Sequence, residues 1–441
     1  MEHRPFHYRT AQDVREELQE LGVSIPLSEH TEVLRQPIAV GAHTLSNRLA
    51  IQPMEGCDSE PDGRPGELTR RRYHRFAESG AGLIWAEATA IVPEGRANPR
   101  QITLTEQTLD SFKALVEDVK ETAQKETGVE PLFILQATHS GRYSKPTGTP
   151  APLIAYHNPL FEQQTPIADD RIVSDEYLDT LPERYAATTR LAAAAGFDGV
   201  DIKACHRYLL SELLSAYDRP GRYGGDFVNR TRLYRDAIAA ATAAAASDFL
   251  VATRLNLYDG FPHPYGWGVA AEGGLAPDMT EPIRLVEQLH TVYGVSLFDF
   301  TIGNPYVNPH VNRPYDHGGY VPPEHPLVGV ARMCACIAAV KAHLPHAVVI
   351  SSGHSYLRQF AALQAAGMVE SGAADIAGFG REAFAYPAFA RDLLQTGEMK
   401  AACCCMTCGK CTELMRAGST AGCVLRDEVY LPIYRRDVLK K

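Results

Sequence analysis

The sequence predicts an α/β protein: a (β/α)8 TIM barrel followed by a small C-terminal cysteine-rich appendix. Three observations lead there. Eight apolar runs of strand length recur along the chain, with helical stretches between them. Several of these runs are continuously apolar, such as Leu132-Phe133-Ile134-Leu135 and Val348-Val349-Ile350, as parallel strands are when helices cover both faces. Strict alternation over eight strands favours a closed barrel over an open doubly wound sheet, and no Gly-x-Gly-x-x-Gly follows an early strand to mark a Rossmann domain.

Residues 1–46 precede the barrel, with a helix expected over 11–21 and a hairpin over 37–46, together read as a barrel lid. The eight strand runs are 48–54, 82–91, 131–139, 197–203, 249–256, 296–303, 347–353 and 374–380. Between them Leu109, Phe112, Leu115, Val116 and Val119 recur at helical spacing, as do Ile283, Val286 and Leu289 after Pro282, a residue favoured at helix starts. Long loops rich in Pro, Gly, Asn and His cover 259–280 and 304–327, and loops of that length usually shape a pocket. The barrel domain is placed at 47–400, closing with a helix over 387–394, and the appendix at 401–441.

Of the 441 residues 45% are hydrophobic and 22% charged, and the net charge of −10 is spread without acidic or basic runs. This argues against nucleic acid or an anionic membrane as a partner. No stretch of about 18 apolar residues occurs, and Met1-Glu2-His3-Arg4-Pro5 lacks the apolar run of a secretory signal, so a cytoplasmic location is expected. The oligomeric state is left open, a homo-oligomer included.

Chemistry concentrates at the ends of the runs. The fourth delivers Lys203, His206 and Tyr208 into a loop, just past the strand's C-terminal end, where parallel α/β proteins hold their active sites. The other ends offer Pro53-Met54-Glu55, Glu87, Gln136, Arg254, Gly353 and Gly380-Arg381. Glycines that bare backbone amides at strands seven and eight, beside an arginine, suit a phosphate.

Of ten cysteines, six crowd between Cys403 and Cys423, which fits thiol ligands better than disulfides. Cys405, Cys408, Cys411 and Cys423 are spaced C-x2-C-x2-C-x11-C. Three neighbouring thiolates and a distant fourth suit a [4Fe–4S] cube; a tetrahedral zinc site uses the same four thiolates.

The segment from Lys203 to Arg230 carries a further signal. Lys203, His206 and Tyr208 are followed by Tyr223-Gly224-Gly225 and Asn229-Arg230, a pattern that resembles the old yellow enzyme family of FMN-dependent oxidoreductases, with Lys203 where the family has His. The resemblance extends over residues 47–395. It implies FMN contacts from Pro53, Met54, Glu55 and Glu87, from Gln136 with the following His139-Ser140-Gly141-Arg142, and from Arg254. Gly353, Gly380 and Arg381 would hold the phosphate. It implies that His206 donates a hydrogen bond to a substrate carbonyl and Tyr208 protonates the neighbouring carbon of an α,β-unsaturated carbonyl compound, after hydride transfer from reduced flavin; Lys203, the departure from the pattern, offers an ammonium suited to a carbonyl or carboxylate. Glu55 stands where some relatives carry a flavin-tuning Cys, with Cys57 two residues on, and Tyr306 or His310 are candidate additions to the pocket. The cysteine spacing is similar to that after the barrel in dienoyl-CoA reductase and trimethylamine dehydrogenase, larger relatives that continue into nucleotide-binding domains. The sequence ends at Lys441, so electrons are expected from NAD(P)H directly or from a separate electron-transfer protein. Amine oxidation, and a flavin- or zinc-binding barrel without turnover, are the alternative readings.

Overall fold

The computed structural model describes residues 5–316 and 321–441. The first four positions, on which the expectation of no secretory signal rests, and the 317–320 part of the second long loop lie outside the described residues.

Eight strands form a closed parallel barrel in chain order: β1 (Leu49–Ile51), β2 (Leu83–Ala90), β3 (Leu132–Thr138), β4 (Gly199–Ile202), β5 (Leu250–Asn256), β6 (Leu297–Thr301), β7 (Val348–Ser351) and β8 (Ile376–Phe379). Each lies inside its predicted run, and β8 closes onto β1 through Ala377 opposite Leu49 and Phe379 opposite Ile51. One irregularity matters later: β2 pairs Leu83–Trp85 with Leu132–Ile134, then slips register between Trp85 and Ala88.

Helices cover the outside of the barrel. The helix Leu109–Thr127 buries Phe112, Leu115, Val116 and Val119, and Thr280–Thr291 buries Leu285, Val286 and Leu289, each such side chain contributing about 1.5–3 kcal/mol. The helix Ala11–Glu20 starts with a capping box, Thr10 Oγ1 accepting from the Asp13 amide and Asp13 accepting from the Thr10 amide. The last barrel helix runs Phe389–Thr396, two residues beyond its expected bounds. Among the described residues no helix is long and apolar enough to cross a membrane.

The predicted hairpin pairs Ile38–Val40 with His43–Leu45. Its Val40 and Leu45 join a cluster with Leu83, Trp85, Leu132, Leu250 and Leu297, residues at or near the N-terminal ends of their strands. The hairpin therefore plugs the barrel mouth opposite the strand ends that carry the chemistry. Gly41 allows the approach: at φ +57 it adopts a backbone that side chains rarely take, and a Cβ there would stand 2.6 Å from Leu250.

The cysteine-rich appendix folds back over the other mouth. Its helices Lys410–Arg416 and Tyr430–Asp437 enclose Leu414, Val424, Tyr430 and Tyr434. Asp427 accepts from Arg71 and Arg75 on the helix Glu67–Ala77, and the Thr420 hydroxyl and Ala421 amide donate to the Gly56 carbonyl at 2.8 and 2.7 Å.

Candidate active site

A cavity of about 200 Å³ opens over the C-terminal ends of the strands. Pro53, Met54, Glu55, Gln136, Lys203, His206, Tyr208, Arg254, Gly353, Gly380 and Arg381 all line it. Residues from β1, β3, β4, β5, β7 and β8 thus converge from positions more than three hundred residues apart in the chain.

Glu87 is the exception. It does not line the cavity: its carboxylate accepts from the Gly56 amide at 2.8 Å and pairs with buried Arg72, which also binds Asp58. The cause is the register slip in β2 next to it, since a bulge re-aims a side chain that strict alternation would have turned inward. Burial, only partly offset by Arg72, raises the Glu87 carboxyl to about 7. His139 and Arg142 are likewise held outside the cavity. His139 meets the Tyr177 hydroxyl at 2.8 Å, and Arg142 is paired with Glu212 and Glu162. Cys57 also lies off the cavity wall, as a buried thiol accepting from Asn98. Of the two candidates from the long loop, Tyr306 lines the cavity and His310 does not.

The floor is organised by two buried acids that sequence reading missed. Asp201 on β4 accepts from Gln136 Nε2 at 2.6 Å, Trp85 Nε1 at 2.9 Å and the Arg254 amide at 2.7 Å. This fixes which way the Gln136 amide points and turns its carbonyl oxygen away from Asp201. Burial raises the Asp201 carboxyl to about 7. Asp299 on β6 accepts from Gln52 Nε2 at 2.8 Å and faces Arg254 Nε at 3.4 Å. The Arg254–Asp299 contact lacks hydrogen-bond geometry, so Arg254 Nε and Asp299 Oδ2 are both buried without a hydrogen bond. Both acids occupy strand interiors, where their alternation with apolar residues reads as ordinary strand periodicity.

The upper wall is aromatic and basic. Lys203 Nζ sits 3.9 Å from the centre of the Tyr208 ring, within cation–π range. Burial lowers the Lys203 pKa and raises that of Glu55, each pulled back in part by the other's charge. His206 adopts φ +63 and Arg207 φ +59, a left-handed step anchored by Arg207, whose buried guanidinium binds Asp259 at 2.7 Å and the Tyr156 hydroxyl at 2.8 Å. That anchor turns His206 to the cavity. Burial, then the charges of Lys203, Arg254 and Arg313, pushes the imidazole well below its ordinary pKa, so it is neutral. Tyr208 is buried, and its hydroxyl is 2.8 Å from that of Tyr306.

Arg381 makes no ion pair with another described residue and lies between two cavities. The second cavity is small and is lined by Cys405, Cys408, Cys411 and Cys423 together. Cys404 and Cys403 lie outside it. Among the described residues no group of three or more His, Cys, Asp or Glu side chains is arranged to hold a metal ion. Burial pushes the Cys405 thiol up to about 12 and the Cys423 thiol to about 11. Cys411, Arg381 and Phe384 border both cavities, and the appendix adds Thr412, Met415 and Arg416 to the main one.

Residues 33–266 match the family described as NADH:flavin oxidoreductase / NADH oxidase. The chain belongs to this family. Among curated relatives of this chain, NADPH dehydrogenase of Bacillus subtilis is 32% identical over 208 residues, 46% of this chain and 57% of that one. Putative 12-oxophytodienoate reductase 2 of Oryza sativa subsp. japonica is 29% identical over 249 residues, 54% and 63% of the two chains. The chain thus spans less than two thirds of both relatives. Solved structures agree in fold. A 2-naphthoyl-CoA reductase in complex with 2-naphthoyl-CoA superposes with a TM-score of 0.75 at 18% identity, over 91% of this chain and 58% of that one. Histamine dehydrogenase from Rhizobium sp. 4-9 gives 0.67 at 18%, over 89% and 52%. The old yellow enzyme homologue from Zymomonas mobilis gives 0.60 at 22%, over 83% and 94%.

Proposed function

We propose that this chain is an FMN-dependent ene-reductase that reduces the C=C bond of an α,β-unsaturated carbonyl compound. The observation that carries the reading is the convergence of His206, Tyr208 and Lys203 with Gln136, Arg254, Gly353 and Arg381 on one cavity. The residues fit the cofactor. Gln136 is held by Asp201 for a ring edge that donates hydrogen bonds, and Arg254 keeps a buried Nε without a hydrogen bond. Arg381, without a carboxylate partner among the described residues, stands beside Gly353 and Gly380. Bound there, FMN supplies the hydride. Arg254 places positive charge where negative charge develops on reduction. His206, neutral in its buried site, donates a hydrogen bond to the substrate carbonyl, and Lys203 adds a nearby positive charge. Tyr208 keeps its proton throughout the neutral range, because burial holds its pKa well above 10. It gives that proton up only to a carbon made strongly basic by hydride arrival.

The amine-oxidation reading meets an electrostatic obstacle. Lys203, Arg254, Arg313, Arg381 and Arg416 line the cavity against the one carboxyl of Glu55, and an ammonium substrate would enter against the excess positive charge. A neutral or anionic carbonyl compound would not.

The four cysteines of the small cavity are the proposed ligands of a [4Fe–4S] cluster. A tetrahedral zinc site would use the same four thiolates, drawn to about 2.3 Å from one point, and metal analysis separates the two. A cube takes one thiolate at each of its irons, which four thiols spread around a cavity can offer. Anaerobic purification with a visible spectrum and metal analysis tests both cofactors. Flavin bands with about four irons per flavin and no zinc are expected; absence of flavin would overturn the reading, and flavin without iron would remove the cluster alone. Mixing the reduced protein with a panel of enones and enoates then tests the reaction.

A further inference from the structure

Tyr208 has a difficulty that a proton donor at the surface does not have. Only 2% of it is exposed, so after giving up its proton it meets little water from which to recover one. Its hydroxyl is bonded to one neighbour, the Tyr306 hydroxyl at 2.8 Å. Tyr306 is half-buried, the more exposed of the two tyrosines, and lies on the loop that follows β6. That loop is held firmly. The Tyr306 ring stacks on Tyr143 with centroids 3.9 Å apart and planes at 22°. Asn304 donates to the Tyr143 hydroxyl and accepts from the Tyr306 amide, both at 2.9 Å. From the appendix, Arg416 donates to the Pro305 carbonyl at 3.1 Å.

We propose that Tyr306 is a relay residue that returns a proton from solvent to Tyr208 after each turnover. The proposal rests on the ene-reductase reading. The steps balance as follows. Hydride from the NAD(P)H-reduced flavin forms a C–H bond at the carbon distal to the carbonyl. The Tyr208 O–H bond breaks and its proton goes to the carbon next to the carbonyl, leaving a phenolate. The Tyr306 O–H bond then breaks as the Tyr208 O–H bond reforms, and Tyr306 takes a proton from water. One solvent proton is consumed per product. Lys203, 3.9 Å from the Tyr208 ring, stabilises the phenolate while it lasts, and the short hydroxyl contact offers it a donor without any side chain having to move.

A relay can be separated from a merely structural contact by counting turnovers. Flavin-loaded Tyr306→Phe protein keeps the stacked ring and loses only the hydroxyl. The pre-reduced variant, mixed with 2-cyclohexenone, should complete its first turnover within about threefold of the wild-type rate, because Tyr208 still carries its own proton. With NADPH in excess it should then slow at least tenfold, a burst of one product per flavin. A larger solvent deuterium effect should appear on the slow phase only. Steady-state turnover equal to wild type, or a first turnover slowed as much as the later ones, would overturn the relay and leave the reductase standing. If Tyr208→Phe reduces the enone as fast as wild type, Tyr208 is not the donor and the relay falls with that assignment. If wild-type protein with bound flavin reduces no enone or enoate at all, the reductase reading itself fails.

Discussion

Lys203 is the residue at which the motif departs from the family pattern, and the structure places it on the cavity wall over the Tyr208 ring, within the electrostatic reach of Glu55. A localised ammonium there does what a neutral imidazole cannot, because it holds negative charge on a substrate oxygen and on a tyrosine at once. Lys203→Met, which keeps the apolar stem, should lower kcat/KM for an enone about 10–100-fold while leaving flavin affinity near wild type; stopped-flow reoxidation and flavin titration read the two separately. Tyr208→Phe should slow reoxidation about 100-fold or more, without changing reduction by NADPH. The residues legible in the sequence were those whose chemistry stands out against a strand end. Asp201 and Asp299 were not, because an acid between apolar neighbours in a strand looks like its solvent face, and only barrel closure shows that both point inward. Glu87 misled for the opposite reason: the local slip that turns it outward leaves no trace in the hydrophobic pattern.

Among the elements, the barrel strands were readable because burial on both faces forces continuous apolar runs, and this does not depend on distant partners. The seating of the appendix was not readable. Its contacts join residues more than three hundred positions apart, Asp427 with Arg71 and Arg75, and Thr420 with Gly56, and no periodicity encodes such a pairing. The Asp427 side chain is 2% exposed and pairs with two arginines. Asp427→Ala leaves both without their shared partner, at a cost of about 1.5–3 kcal/mol. The expected result is faster tryptic release of the 401–441 segment, with loss of iron from the thiol cavity, while bound flavin stays near the wild-type level. Proteolysis rates and iron-to-flavin ratios check it.

For the whole molecule, the buried His139 contributes to the loss of stability in acid. His139 Nδ1 accepts from the Gly141 amide and Nε2 meets the Tyr177 hydroxyl, so a second ring proton would be driven against an N–H donor. Burial holds the group down to about 4, against about 6.5 when unfolded. The folded state therefore resists a proton that the unfolded state accepts. This stability is present above about pH 6.5 and is lost as the pH falls toward about 4. Relative to wild type, His139→Gln should gain about 1.4 kcal/mol per pH unit across that window, measured by urea unfolding at a series of pH values from neutral down to about 5.

The hairpin at the foot of the barrel has a kinetic consequence. With Val40 and Leu45 packed into that end, the proposed nicotinamide donor and unsaturated carbonyl substrate would share the doorway at the opposite end, and each would have to leave before the other enters. Steady-state rates with NADPH as donor should then give parallel double-reciprocal lines and inhibition at high donor concentration. Electrons arriving through the thiol side need no doorway, and a donor using that route should give intersecting lines instead.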